Sequence, residues 1–259
     1  MLRFHCLYSR FFESPSPPDA PQRRYQALPH PFVLEPERRQ EREIPPGAFL
    51  SLGMTFLGDA VEQVPYLIQA LNTAGQRGFG RDRGRFSVVA VEREVSLGSA
   101  SWEPVYDAAI GEYRHRQTQP IRLPPPPSAV CVHLFTPLRI KRHGSFVGAA
   151  ELEPSDLLRN LYARMAKLAE LYGGDPEPFD WRVIGQDAAG ITLVDKLLRW
   201  HEWTRFSSRQ NTRMQMGGLL GELVLEGDAL PLFWPALWLG QWVHVGKGTS
   251  FGLGGYRLL

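Results

Sequence analysis

The chain has 259 residues, 43% of them hydrophobic, which is ample material for one large domain or two small ones. Two cysteines, Cys6 and Cys131, provide neither metal-ligand spacing nor a disulfide framework, and no stretch reaches the ~20 apolar residues of a membrane span. A formal charge of +2 selects no partner; with no signal peptide around Arg3 and Arg10, a cytoplasmic protein is expected.

Along the chain, residues 13–46 come first. They hold nine prolines interleaved with Arg23, Arg24, Arg38, Arg39 and Arg42, and read as an irregular segment with a function, anchored by Tyr25, His30, Phe32 and Val33. Residues 48–57 read as a strand, 59–74 as a helix that Pro65 can split, and 85–95 as a strand. Between helix and strand lies a loop of glycines mixed with Arg77, Arg81, Arg83 and Arg85. Pro124–Pro127 reads as a stiff linker.

The second half parses more regularly. Residues 129–140 are a strand. Residues 154–173 are an amphipathic helix, with Leu158, Leu161, Met165, Leu168 and Tyr172 at helical spacing, Ser155 as cap and Gly173 as stop. Strands follow at 197–206 and 214–225, the second with Gly217, Gly218 and Gly221 as a bulge signal. A helix at 229–239, capped by Asp228, and a strand at 251–258 close the chain. The order β-α-β-β-α-β is the ferredoxin-like pattern, and the first half is a partial copy of it. The expected fold is therefore α+β with tandem ferredoxin-like domains, residues 1–125 forming a shortened or irregular first unit and 126–259 the second.

The charges are segregated. Residues 113–150, 203–221 and 229–259 contain no Asp or Glu, while Arg139, Lys141, Arg142, Arg209 and Lys247 lie there among other cations. One such window is the ordinary solvated face of a protein; three of them suit a polyanion. The last window ends in Val245-Gly246-Lys247-Gly248-Thr249-Ser250-Phe251-Gly252-Leu253-Gly254-Gly255. Glycines let a backbone approach a phosphate, and Lys247 adds charge there. The alternative is a turn packed on its own sheet. A nucleotide-binding P-loop fits poorly: five residues separate Gly240 from Gly246 where the motif has four, Gly248 follows Lys247 in place of Ser or Thr, and the loop is not followed by the expected helix.

In order along the chain, Leu28-Pro29-His30-Pro31-Phe32, Arg77-Gly78-Phe79-Gly80, Thr136-Pro137-Leu138-Arg139, Ser207-Ser208-Arg209-Gln210 and the glycine-rich end form a recognisable set. Over residues 25–259 the chain resembles the CRISPR-associated pre-crRNA-processing endoribonucleases of the RAMP superfamily. That resemblance implies tandem ferredoxin-like domains, cofactor-free and metal-free cutting of CRISPR repeat RNA beside a hairpin, and retention of the product. It implies the repeat hairpin and other subunits of a CRISPR effector complex as partners. Family members open with a strand and a helix that often carries a catalytic His. This chain reads as starting beyond that point, and such a shortened, arginine-rich version is similar to the processing nuclease of type IV systems.

Metal-free RNA cleavage needs attack by the 2′-OH on the neighbouring phosphate, helped by a base, an acid and cations. His30 is the histidine candidate, with a structural turn residue as its alternative; Arg23 and Arg38 are candidates for gripping the scissile phosphate. The expected RNA contacts are Lys247, Gly246, Gly248, Ser250, Arg77, Arg81, Arg83, Arg139, Lys141, Arg142, Ser208 and Arg209. His133 and His201 read as packed strand residues, and His143 and His244 as lesser candidates. The competing function is a non-catalytic crRNA-binding scaffold of the same fold.

Overall fold

The computed structural model describes residues 7–13, 28–37, 43–80, 82–207 and 212–259. The first regular pair is antiparallel: β1 (Phe32–Pro36) against β2 (Leu52–Phe56), with Phe32 opposite Phe56. Phe32 and Val33 are buried, and Phe11, from the helical turn Ser9–Glu13, stacks on Phe32 at 5.9 Å. A tight turn, Gly58–Gln63, leads into α1 (Val64–Arg77), with Pro65 in the first turn. Proline costs nothing there, because the N–H it lacks would have no intrahelical acceptor. The expected break in 59–74 is thus a change of helix type ahead of Pro65. Strands β3 (Ala90–Glu94), β4 (Trp102–Asp107) and β5 (Glu112–Tyr113) follow as an antiparallel sheet in the order β3-β4-β5. The Asn72 Oδ1 accepts from the Val88 N–H at 2.8 Å, tying α1 to the chain entering β3.

The remaining elements are β6 (Ala129–Leu138), the hairpin β7 (Lys141–Arg142) and β8 (Ser145–Phe146), α2 (Pro154–Tyr172) and the short α3 (Trp181–Ile184). Then come β9 (Thr192–His201), the hairpin β10 (Thr204–Ser207) and β11 (Thr212–Gln215), β12 (Gly218–Glu226), α4 (Leu230–Val243) and β13 (Tyr256–Leu258). The main sheet runs β13-β6-β12-β9 with every neighbouring pair antiparallel. β6 and β9 both pair with β12, so they run parallel and need the long crossover that α2 supplies; β12 and β13 are related in the same way through α4. This is the complete ferredoxin-like arrangement expected for the second half. In the first half, strands and a helix recur in a similar order but lie in separate small sheets, which is the irregular form expected of it.

One face of the sheet is covered by helices. Val130, Val132, Leu134, Leu219, Leu223 and Leu225 of the strands and Leu157, Leu158 and Leu161 of α2 are buried together with Leu230, Phe233 and Leu237 of α4. Truncating one of these leucines to Ala would cost ~2–5 kcal/mol. The register of β12 against β6 shifts between Leu219 and Gly221, realising the bulge signalled by the glycines.

Three local expectations are corrected. α2 is capped not by Ser155 but by Glu153, whose carboxylate and that of Asp156 reciprocally serve backbone N–H groups in a capping box. α4 takes Ala229 at its N-cap without a side-chain hydrogen bond from Asp228. The final strand covers only Tyr256–Leu258, because Gly252 and Gly254 adopt positive φ and break the extended chain ahead of it.

Contacts gather Met1–Gly58 and Pro125–Leu259 into one compact unit and Asp59–Pro124 into another. The cut thus differs from a boundary at residue 125: β1 contributes its contacts to the C-terminal glycine turn, described next. Among the described residues no helix is long and apolar enough to cross a membrane.

Candidate active site

The glycine-rich end folds back on its own sheet. The Val245 N–H donates to the Gly254 carbonyl at 3.0 Å, the Lys247 N–H to the Arg139 carbonyl at 2.9 Å, and the Gly254 N–H to the Pro137 carbonyl at 3.0 Å. Two glycines are required by space as well as by φ. A Cβ at Gly246 (φ 88) would lie 2.5 Å from the Arg139 carbonyl oxygen, and one at Gly254 (φ 69) only 1.8 Å from that of Val245. The turn Thr249–Phe251 sits between Gly248 and Gly252, both left-handed. Much of the glycine content therefore serves close packing, while the Lys247 side chain is left exposed at the tip.

β1 locks this turn in place. Glu35 accepts from His244 Nε2 at 2.9 Å and lies 3.4 Å from Arg257 Nη2, and His244 Nδ1 lies 3.2 Å from the Leu253 carbonyl. His244 is fully buried, with φ 59 and its ring edge-on to Phe135. Burial pushes the Glu35 carboxyl up, but the His244 hydrogen bond and the Arg257 charge outweigh it and hold the group below its ordinary value. With both ring nitrogens occupied and no exposed surface, His244 is a structural residue.

His30 stands just before β1, half-buried and stacked on Phe32 at 5.6 Å between ring centroids. Burial lowers its pKa, the hydrogen bond its ring donates to the Phe11 backbone carbonyl opposes this, and the nearby Arg164 charge lowers it further; the net direction is down from 6.5. His30 therefore favours the neutral ring at neutral pH, the form that can accept a proton.

Arg164 comes from the middle of α2. Its Nε–H donates to the Val243 carbonyl at 2.7 Å, and Nη2 has neither solvent nor a hydrogen-bond partner. Burial depresses its pKa to about 10, opposed by Tyr172, which still leaves the group charged at neutral pH. A buried unpaired guanidinium N–H is costly, of order 1–3 kcal/mol or more, and such groups cluster where a ligand or reaction uses them. One turn on, Lys167 is depressed by burial and by the charge of Lys247, so the two ammonium groups are neighbours. Tyr172, two turns beyond Arg164, donates its hydroxyl to the Pro29 carbonyl beside His30. The charges of His30 and Arg164 thus act on each other, as do those of Lys167 and Lys247, and α2 carries one member of each pair.

The other expected residues are distributed more widely. Gly246, Gly248 and half-buried Ser250 belong to the same turn as Lys247. Arg139 joins it through its carbonyl, while its side chain donates to the Gln215 carbonyl and lies over Phe146. Lys141 is exposed on β7. Arg142 is committed to the start of α2: it donates to the Glu151 carbonyl and pairs with Asp156 at 2.9 Å. Arg77 ends α1 and Arg83 (φ 50) sits in a turn closed by the Phe79–Gly84 bridge, both in the other compact unit. Arg23, Arg38, Arg81, Ser208 and Arg209 lie outside the described residues. His133 pairs with Glu222 at 2.9 Å, and His143 and His201 are exposed. Arg164, Lys167 and Glu35 are not evident from sequence patterns. The signal that could have found the first two is a pair of cations three residues apart, flanking the apolar stripe of α2.

These features define an α+β protein of two parts, with a complete ferredoxin-like domain at its C-terminal end. Residues 132–256 match the CRISPR-associated endoribonuclease Cas6, and residues 1–119 match the AF_1859_N N-terminal domain. The match to the Cas6 endoribonuclease family thus falls on the C-terminal ferredoxin-like domain. Among solved structures, a Cas6 product complex (TTHB231) aligns with TM-score 0.58 and 17% identity, covering 90% of this chain and 83% of that one. A second Cas6 product complex (TTHA0078) aligns at 0.51 and 20% identity, covering 89% and 83%. Thermus thermophilus Cas6 (TTHB231) aligns at 0.50 and 15% identity, covering 88% and 79%. At these identities the likeness is one of fold. No curated protein matches the sequence.

Proposed function

We propose that this protein cuts CRISPR repeat RNA to mature crRNA without a metal ion and keeps the product hairpin bound. The Cas6 match supports the substrate class. The observation that carries the chemistry is the buried, unpartnered Arg164 Nη2 beside His30. In this reading neutral His30 takes the proton of the 2′-OH as it attacks the adjacent phosphate. Lys167 and Lys247 stabilise the charge that gathers on the phosphate oxygens, and the sealed positive charge of Arg164 adds to the field there. Arg23 and Arg38, from the proline- and arginine-rich segments on either side of β1, complete the grip on the scissile group. The 5′-oxygen leaves as its bond to phosphorus breaks and takes a proton from water, giving a 2′,3′-cyclic phosphate and a 5′-OH. Gly246, Gly248, Ser250, Arg139, Lys141, Arg142, Ser208, Arg209, Arg77, Arg81 and Arg83 contact the RNA backbone.

A second reading, a non-catalytic crRNA-binding scaffold, draws on the half-burial of His30 against Phe32. Purified protein incubated with repeat RNA separates the two. The nuclease reading expects one cut, with the hairpin fragment remaining in the protein fraction on gel filtration. A repeat carrying a single 2′-deoxy group at the cut site should bind equally well and stay intact. Binding of unmodified repeat RNA without any cut would support the scaffold.

A further inference from the structure

A second cluster lies outside the proposed reaction. Phe146 of β8 and Trp200 of β9 are 38% and 39% exposed, with ring centroids 6.3 Å apart. The Arg139 guanidinium lies 4.6 Å from the Phe146 ring centre and the Lys141 ammonium 5.0 Å from it. Neither ring is loosely held. Trp200 donates its indole N–H to Glu202 at 2.7 Å, and Arg139 is fixed through the Gln215 carbonyl and the Met216 sulfur. Arg139 Nε, like Arg164 Nη2, is buried without a hydrogen-bond partner.

Large exposed rings flanked by cations fit a ligand that offers both a flat π-face and negative charge. Unpaired nucleotides offer both, whereas a duplex hides its base faces in its own stack. The local charge agrees: residues 113–150 have no acid, and Glu202 is committed to the Trp200 indole. Position also agrees. The carbonyl of Arg139 accepts the Lys247 N–H, so the residue beneath the Phe146 ring also braces the glycine turn. A strand whose phosphate meets Lys247 reaches Phe146 within a few nucleotides.

We propose that Phe146 and Trp200 form a stacking platform for unpaired nucleotides flanking the RNA hairpin, with Arg139 beneath and Lys141 moving aside to meet an adjoining phosphate. This rests on the reading that the protein binds repeat RNA, and adds where and how it holds the unpaired part. The test uses the full chain and one repeat hairpin in three forms: blunt, with a short unpaired extension, and with that extension made abasic. Extensions at each end are assayed separately. Wild type should bind one extended form about tenfold tighter than its abasic counterpart. Phe146→Leu and Trp200→Leu keep apolar bulk but lose the aromatic face. They should erase that difference and leave blunt-hairpin affinity unchanged. Equal wild-type affinity for base-bearing and abasic extensions at both ends, or a difference that survives both substitutions, overturns the platform and leaves the nuclease reading standing. Failure of wild type to bind any hairpin form overturns both.

Discussion

His244 Nε2 lies 2.9 Å from Glu35 Oε1, joining residues 209 positions apart and fastening the C-terminal glycine turn to β1. Leu253 O faces the other ring nitrogen, so the imidazole meets an acceptor on each side. Arg257 completes the group by lying over Phe135 and reaching Glu35. The approach to β1 carries His30 and the turn carries Lys247, so this link holds the two residues in one frame.

Glu35→Gln should therefore destabilise the protein by roughly 1–2 kcal/mol at neutral pH, because buried His244 and the nearby Arg257 lose a charged acceptor. The pH dependence has a definite sign. The folded carboxyl titrates below 4.5, so its contribution is full above that value and is lost as pH falls through the lower folded value. Thermal melts of both proteins across that range should show the gap closing in acid. A gap that stays constant would mean the charge is not what stabilises the link.

His30 should act as the base in its neutral form. Because its pKa lies below 6.5, single-turnover cleavage should lose rate only on the acid side of that value. His30→Ala should remove this acid limb and cost ~10²–10⁴ in rate. An unchanged profile in the variant would transfer the role to another group.

Arg164→Met should separate activity from stability. The lost Nε–H bond to the Val243 carbonyl costs about 1 kcal/mol, and removing a buried unpaired charge offsets it. Melting temperature should hold within a few degrees while cleavage falls ~10²–10³-fold. Arg23→Ala and Arg38→Ala should also slow cleavage more than they weaken binding. A large melting loss with normal specific activity would make Arg164 a structural residue only.

Lys247→Ala should weaken RNA binding and reduce the salt slope by about one unit. Its side chain is exposed between Gly246 and Gly248, so the fold should lose under about 0.5 kcal/mol. Binding titrations at several salt concentrations check both. Unchanged affinity would leave the glycine turn with its packing role alone.

The C-terminal sheet was legible because its signals are local: the apolar stripe of α2, the glycines at the β12 bulge, and the order of strands and helices. Lys247 stood out because it sits among glycines. The pairing of Glu35 with His244 was not legible, since nothing in either local sequence points across 209 positions. Arg164 was hidden for a different reason. A cation on an amphipathic helix reads as solvated, and only packing shows that Nη2 is sealed without a partner. Tyr172 has the spacing of the apolar stripe, whereas its hydroxyl reaches the Pro29 carbonyl.

Metal-free attack by the 2′-OH is tested most directly by single-turnover cleavage of repeat RNA in excess EDTA, followed by analysis of the product ends. The expected result is an unchanged rate, with a 2′,3′-cyclic phosphate on the 5′ fragment and a 5′-OH on the other. Cleavage abolished by EDTA and restored by magnesium, or a 5′ fragment ending in a 3′-OH, would contradict it.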